Sequence, residues 1–268
     1  MIIDFHTHTF PDKIAARSIE KLENVGNIKA HTNGTLSGLK DSMDKSGVDI
    51  SVVLPVVTNP AHITTVNRVA YETNEKFDET GIWSFGGIHP DNENYEDELK
   101  AIADYGLKGV KLHPDYQKTF FDDIRYKRIV YKAMELGLIV SVHAGLDIGL
   151  PDPIHCRPEH VISLMDEVKP DKLILAHMGG YALWDEVEDK LMDKGLYFDT
   201  AYCLEEGKLS VEQFNRIVEK AGADKVLFAT DIPWSAQTEY VEQIKKFVKD
   251  EDTFNSITYE NAKKLLKL

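Results

Sequence analysis

Short apolar runs alternate with longer segments of helical periodicity along the whole chain of 268 residues. Eight runs have the length and character of buried β-strands: 2–5, 50–54, 82–87, 109–113, 138–143, 173–177, 196–199 and 226–229. The main helical segments are 36–46, 61–79, 95–105, 124–136, 158–168, 183–193, 211–221 and 239–249, with a last one at 259–266. Because strands that alternate with helices pair in parallel, the pattern predicts an α/β fold, a (β/α)8 TIM barrel formed by residues 1–268 as a single domain. A doubly wound open sheet is the alternative.

The charge of the chain restricts its partners. Asp and Glu number 45 against 31 Lys and Arg, a net charge of −14, which opposes binding to nucleic acid or to an anionic membrane surface. No apolar run approaches the roughly 18 residues of a membrane span, and the first residues have no signal-peptide pattern. Only Cys156 and Cys203 are present, which is typical of a reducing compartment. We therefore expect a cytoplasmic protein with a small-molecule substrate, and a homodimer as the default oligomer.

Histidines concentrate at one end of the predicted barrel. Six of the ten lie at or just after the ends of predicted strands: His6, His8, His89, His113, His143 and His177. In a parallel barrel this end carries the chemistry, because the loops that follow the strands meet there. The positions of these histidines therefore predict a functional site.

The first strand supplies a histidine pair. His6 and His8 are two residues apart, so a regular strand directs both side chains to one face, where they can share a metal ion. The alternative is a solvated pair at a polar strand end. The same spacing predicts Asp4 on the face of His6, where it could orient a ligand.

Later strands supply further candidate ligands. His143 and His177 each end an apolar run, so each places one polar group at the mouth of the barrel. Asp231 follows the eighth strand in Ala-Thr-Asp-Ile-Pro-Trp and offers the carboxylate that a catalytic metal site needs. The alternative for Asp231 is a turn or a helix cap.

These positions together resemble the amidohydrolase superfamily of metal-dependent (β/α)8 barrels. The resemblance is carried by His6-X-His8, Lys111, His143, His177 and Asp231 on five different strands. Gly-Ile-His-Pro, Gly-Val-Lys-Leu-His-Pro and Ala-His-Met-Gly-Gly are most similar to the subgroup that includes aminocarboxymuconate-semialdehyde decarboxylase. That subgroup contains both hydrolases and decarboxylases.

The resemblance implies a role for each matching residue. His6, His8, His143 and Asp231 would hold a divalent metal, with zinc the expected ion, and Asp231 and His177 would be catalytic. If the site holds two ions, His177 and a carbamylated Lys111 would bind the second. If it holds one, Lys111 is a plain lysine near the substrate.

Three functions follow as hypotheses. The first is a hydrolase whose metal-activated water cleaves an amide, lactone or similar bond of a small molecule. The second is non-oxidative decarboxylation of an unsaturated or aromatic carboxylic acid, with Arg157 orienting the carboxylate and with His89 and His113 lining the pocket. The third is an inactive binding protein that uses metal for stability. It is disfavoured because structural zinc sites are closed by four protein ligands, usually Cys and His.

Overall fold

The computed structural model describes residues 1–268, with parallel strands at its centre. The strands are β1 (Ile3–Thr7), β2 (Ile50–Val53), β3 (Ile82–Ser84), β4 (Gly86–Gly87), β5 (Gly109–Leu112), β6 (Ile139–Val142), β7 (Leu173–Leu175), β8 (Tyr197–Asp199) and β9 (Val226–Leu227). Hydrogen bonds join them in the orders β1-β2-β3 and β4-β5-β6-β7-β8-β9. Each neighbouring pair within these two sets is parallel, as the alternation of strands and helices predicts.

Backbone hydrogen bonds close the sheet into a barrel. β3 and β4 are two parts of one barrel strand, interrupted at Phe85, whose amide still donates to β2. At the other edge the amide of Phe5 donates to the carbonyl of Phe228 at 2.9 Å, and the amide of Asp231 donates to the carbonyl of His6 at 2.9 Å. The fold is therefore a single-domain (β/α)8 TIM barrel, as predicted, and the open sheet is excluded.

Helices surround the barrel. They are α1 (Asp12–Gly26), α2 (Leu36–Ser46), α3 (Ile63–Asn74), α4 (Phe77–Thr80), α5 (Tyr95–Asp104), α6 (Ile124–Glu135), α7 (Pro158–Val168), α8 (Trp184–Lys190), α9 (Val211–Ala221), α10 (Gln237–Phe247), α11 (Glu251–Asn255) and α12 (Asn261–Leu266). The predicted bounds of α2, α7 and α9 are confirmed. Helix α1 was not predicted, because Ala15 and Ile19 are its only buried residues and too few to form a clear apolar stripe. None of the helices combines the length and apolar character needed to cross a bilayer.

An extra residue in β1 decides what the barrel interior contains. The register against β2 shifts between Asp4, which pairs with Ser51, and Thr7, which pairs with Val53. β1 therefore contains one residue more than β2 over this stretch, as in a β-bulge. Phe5 consequently packs in the interior apolar cluster, while the adjacent His6 also meets interior side chains. Asp4 lies on the other side, where its carboxylate accepts a hydrogen bond from Gln237 of α10 at 2.8 Å. The expectation that Asp4 shares the face of His6 is therefore wrong.

Gly145, just after β6, has a conformation that only glycine tolerates. Its φ is +84°, and an added Cβ would collide with the backbone of Gly180 and Tyr181. Gly137, which follows α6, has a similar φ of +71° but has open space around it.

We expect Gly137→Ala to lower the free energy of unfolding by about 1 kcal/mol, the cost of a left-handed alanine. Gly145→Ala adds a backbone collision to the same cost, and we expect a loss of about 3 kcal/mol. Urea denaturation of the two variants measures the difference. Equal losses would show that the backbone of Gly180 and Tyr181 moves away from the added Cβ at no cost in stability.

Candidate metal centre

Three predicted ligand atoms converge at the mouth of the barrel. His6 Nε2 lies 3.0 Å from His8 Nε2, and Asp231 Oδ1 lies 3.4 Å from the first and 3.1 Å from the second. Ligand atoms that are each about 2.1 Å from one tetrahedral ion lie about 3.4 Å apart. The spacing therefore fits a single metal ion.

Hydrogen bonds fix which ring nitrogen of each histidine faces the cluster. His6 Nδ1 donates to Asp199 Oδ2 at 2.9 Å, and His8 Nδ1 donates to the carbonyl of Leu54 at 2.8 Å. Both Nε2 atoms therefore present lone pairs toward Asp231. Burial and the charge of Lys111 lower the pKa of His6 well below its usual value, which keeps the ring neutral. The pKa of Asp231 is lowered to about 2 although burial opposes this shift, so the carboxylate is ionised at neutral pH. Three electron-pair donors that face one another form a set suited to a cation.

Asp231 is held in a sparsely populated backbone conformation. Its φ is +70°, in the left-handed region that side chains other than those of Gly, Asn and Asp rarely adopt. Its backbone amide donates to the carbonyl of His6, and its own carbonyl accepts from the amide of Trp234 at 2.8 Å. Such conformations persist where the surrounding structure enforces them, commonly at functional sites.

Asp199 is a site residue that the sequence motifs did not predict. It is fully buried at the end of β8, where Oδ2 accepts from His6, and Oδ1 accepts from the amides of His177 and Ala201 at 3.0 and 3.1 Å. Asp199 therefore links the first-strand histidine to the loop that carries His177. Its position as the last residue of a predicted strand was the available signal.

Lys111, on β5, lies against the same cluster. Its Nζ is 3.1 Å from His6 Nε2, and the side chain is almost fully buried. Burial lowers the pKa of Lys111 to about 8, so part of the population is the neutral amine that carbamylation requires. Carbamylation itself stays a prediction.

The structure places His143 beside His177 rather than within the triangle formed by His6, His8 and Asp231. His177 Nδ1 donates to the carbonyl of Ala201 at 2.9 Å, which leaves Nε2 as an acceptor. His143 Nδ1 donates to that Nε2 at 3.0 Å. Of the four predicted ligands of one ion, three are brought together, and the role of His143 as the fourth stays a prediction.

The three predicted substrate-binding residues occupy different surroundings. His113 is buried at the mouth and stacks on His143, with ring centroids 4.1 Å apart and planes inclined by 7°. His89 is buried and accepts a local hydrogen bond from the amide of Asp91 at 3.1 Å. Arg157 precedes α7, and its guanidinium is engaged by Glu159 and Glu186.

The family profile described as Amidohydrolase matches residues 3–268. The chain belongs to the amidohydrolase family. It is accordingly an amidohydrolase-superfamily enzyme, as the motifs predict, and both the family and the His/Asp cluster support a divalent metal as cofactor. A search of curated protein sequences gave no match.

Solved structures share the barrel over almost the whole chain. A 2,6-dihydroxybenzoate decarboxylase from Rhizobium aligns with a TM-score of 0.75 at 16% identity, covering 99% of this chain and 98% of the other. The 5-carboxyvanillate decarboxylase of Novosphingobium aromaticivorans, complexed with manganese and 4-hydroxy-3-methoxy-5-nitrobenzoic acid, aligns at 0.77 with 15% identity, covering 100% and 96%. An uncharacterized TIM-barrel protein from Bordetella bronchiseptica aligns at 0.77 with 18% identity, covering 99% and 98%. These likenesses confirm the fold of this amidohydrolase-family enzyme.

We expect Asp199→Asn to weaken divalent-metal binding by about 10- to 100-fold, the usual effect of losing a residue that orients a ligand. The amide NH2 group of the new asparagine would face His6 Nδ1 and favour the tautomer of His6 in which Nε2 carries the proton. A protonated Nε2 has no lone pair to offer a metal ion. Isothermal titration of metal-free protein with MnCl2 measures the affinity, and a thermal melt checks the fold. The control is His89→Asn, whose side-chain oxygen can still accept from the Asp91 amide. Equal affinities in a folded Asp199→Asn variant and this control would contradict the assignment.

Proposed function

We propose that this enzyme is a divalent-metal-dependent, non-oxidative decarboxylase of a planar aromatic or unsaturated carboxylic acid. The observation that carries the proposal is an aromatic surface that begins at His177, beside the cluster of His6, His8 and Asp231. The decarboxylases of substituted benzoates among the structural relatives support the same choice.

The aromatic surface consists of Tyr181, Trp184 and Tyr202. The ring of Tyr181 lies 6.3 Å from that of His177, 5.5 Å from that of Trp184 and 5.8 Å from that of Tyr202, measured between centroids. Flat apolar rings offer a planar unsaturated substrate offset-stacked or edge-to-face contacts. The surface therefore favours such an acid over a flexible aliphatic one.

Lys208 supplies a cation next to this surface. Its Nζ lies over the ring of Tyr202 and 5.9 Å from the centroid of Tyr181. Glu205 accepts one of its hydrogen bonds at 2.6 Å, and an ammonium group has three donors. Because Lys208 lies against the aromatic surface, whereas the side-chain contacts of Arg157 are with Glu159 and Glu186, we assign the carboxylate-orienting role predicted for Arg157 to Lys208 instead.

The reaction breaks the bond between the carboxyl carbon and the substrate, and the electron pair stays on the substrate carbon. Carbon dioxide leaves, and that carbon takes up one proton. A divalent ion held by His6, His8 and Asp231 would supply Lewis-acid stabilisation of the substrate's oxygens. Burial lowers the pKa of His177, but a bound carboxylate anion opposes this shift. We therefore assign proton delivery to His177 Nε2, which must first take up a proton and so give up the hydrogen bond that it accepts from His143, while Nδ1 keeps its bond to Ala201.

Hydrolysis of an amide or lactone is the second candidate. It is favoured by the ionised carboxylate of Asp231, which touches both histidines and could act as a general base. A hydrolase would add the elements of water to its substrate, whereas the decarboxylase adds only a proton. We propose manganese or zinc as the ion for either reaction, since His and Asp ligands accept both.

We expect the manganese- or zinc-loaded enzyme to release carbon dioxide from a panel of hydroxylated benzoic acids and unsaturated dicarboxylic acids. Asp231→Asn should reduce turnover by about 100- to 10,000-fold, because losing the anionic ligand removes Lewis-acid stabilisation worth several kcal/mol. Coupled detection of carbon dioxide, with mass spectrometry of the product, measures both. Cleavage of amides or lactones without release of carbon dioxide would replace decarboxylation by hydrolysis.

We expect Lys208→Met to raise KM for the carboxylate substrate by about 10- to 100-fold, because a charge-assisted hydrogen bond of about 1.5–3 kcal/mol is lost. Arg157→Met serves as the matched control and should leave KM unchanged. Steady-state kinetics of the two variants decide between the two cations. A raised KM in the Arg157 variant alone would return the orienting role to Arg157.

A further inference from the structure

Helix α1 stands outside the packing of the barrel. Ala15 and Ile19 are its only buried residues, and neither belongs to the hydrophobic clusters formed by the strands and the surrounding helices. The helix that packs on the barrel after β1 is α2, whose Leu39 and Met43 are part of the main cluster. α1 is therefore an addition between the first strand and the helix that follows it in the barrel.

The two ends of this addition meet. The amide of Phe10 donates to the carbonyl of Gly34 at 2.7 Å. Gly34 has a φ of +71°, and a Cβ at this position would lie 2.8 Å from Cδ1 of Ile19, so the glycine lets α1 pack against the returning chain. Residues 11–33, here called the flap, thus leave the barrel and return to it at one place, beside β1.

The far end of α1 contacts the loop after β6. Cγ1 of Val25 lies 3.0 Å from the place that a Cβ on Gly149 would occupy, and Cδ1 of Ile148 lies 3.3 Å from the place of a Cβ on Gly26. Gly149 belongs to a tight turn in which Oδ1 of Asp147 accepts from its amide at 2.8 Å. Because neither glycine has a side chain, Val25 and Ile148 each pack directly on the opposite backbone.

This contact crosses the mouth of the barrel. Since β3 and β4 form one barrel strand, β6 is the fifth of eight strands and lies four positions from β1 in either direction, on the opposite side. Eight tilted strands spaced about 4.8 Å apart form a ring about 15 Å across. The 15 residues of α1 extend about 22 Å, which is enough to reach over that ring. The flap therefore lies over the end of the barrel where His6, His8 and Asp231 converge.

Only apolar contacts hold the far end of the flap in place. The hydrogen bonds of α1 all have their partners within the flap, and none of its charged side chains forms an ion pair. The other end is fixed by the bond from Phe10 and by the amide of His31, which donates to the carbonyl of Pro233 at 2.7 Å. A segment with few buried contacts that is held at one end can open locally while the rest of the fold stays intact.

We propose that the flap controls access to the metal centre: it opens at the contact between Val25 and Gly149 to admit the substrate, and it closes during the reaction. Closure of such a segment keeps bulk water from the reacting groups, and its reopening releases the product. The proposal rests on the placement of the metal centre at the barrel mouth, but it applies to decarboxylation and to hydrolysis alike.

The first test locks the flap with a disulfide in a variant that combines Val25→Cys with Gly149→Cys. Because Cγ1 of Val25 is about 1.5 Å from its own Cβ, the two Cβ atoms would lie at most about 4.5 Å apart, which suits a disulfide. Gly149 does not have a positive φ, so a cysteine fits its backbone. The native Cys156 and Cys203 are both buried and do not compete for the new thiols.

We expect dipicolinate to remove manganese from the oxidised double variant several-fold more slowly than from the reduced one, because the chelator has to reach the ion. Elemental mass spectrometry of desalted samples, taken at intervals, measures the rate. The oxidised variant should also lose most of its turnover and regain it with dithiothreitol. The two oxidised single variants are the controls and should behave like the wild type.

Equal rates of manganese removal from the oxidised and reduced double variant would overturn the proposal, as would failure of the disulfide to form in folded protein. Slower removal from the oxidised form, without carbon dioxide release from any acid, would contradict the proposed decarboxylation alone. A wild-type protein that binds neither manganese nor zinc would contradict both proposals.

A second test weakens the contact without a cross-link. Val25→Asp places a charge among apolar groups, which favours the open flap, so dipicolinate should remove manganese several-fold faster than from the wild type. Ile14→Asp is the matched control, because Ile14 lies near the other end of α1 and is 50% exposed, against 48% for Val25. The control should leave the rate unchanged. The same rate in both variants would contradict a gating role for the Val25 contact.

Discussion

The buried hydrogen bond between Asp199 and His6 joins the parts of the site. Asp199 ends β8, yet it also holds the backbone of His177 after β7 and the ring of His6 on β1. The carboxylate of Asp199 thus determines the tautomer of the predicted metal ligand His6 and also holds the loop after β7 that carries His177. A buried carboxylate that accepts three hydrogen bonds is well satisfied, and its removal would leave those donors unpaired. The geometry of the cluster depends on this contact more than on any exposed residue.

The fold could be predicted from the sequence because its signals are repetitive and local. The glycines after the helices that end near Gly47, Gly106 and Gly137 all take positive φ values of +71° to +73°, as expected for left-handed caps. The strand-end histidines could be placed at one end of the barrel for the same reason, since each follows its own apolar run. The broken strand at Phe85 and the sparsely apolar helix α1 were the exceptions.

The arrangement within the site depends on contacts that a linear pattern does not carry. The extra residue in β1 reverses the face of Asp4 relative to His6, and nothing in the sequence of the strand marks it. The nitrogen of His177 that carries the proton depends on the carbonyl of Ala201, which lies 24 residues further along the chain. Asp147 lies in an irregular loop, where spacing along the chain does not determine proximity. Residue types and strand ends were predictable, whereas partners and orientations required the three-dimensional structure.

The loops after β6 and β7 meet through a parallel bridge between Gly145 and Tyr181, where the absence of a side chain lets the two backbones touch. His143 lies two residues before Gly145 and His177 lies four residues before Tyr181, so hydrogen bonds between the two loops hold both histidines in one unit. Loops elsewhere on a TIM barrel can change length independently as new substrates are acquired. Here an insertion in either loop next to this bridge would displace both histidines at once. We therefore expect changes of substrate preference among related enzymes to arise in the segment beyond Gly145, because that segment can lengthen without separating His143 from His177.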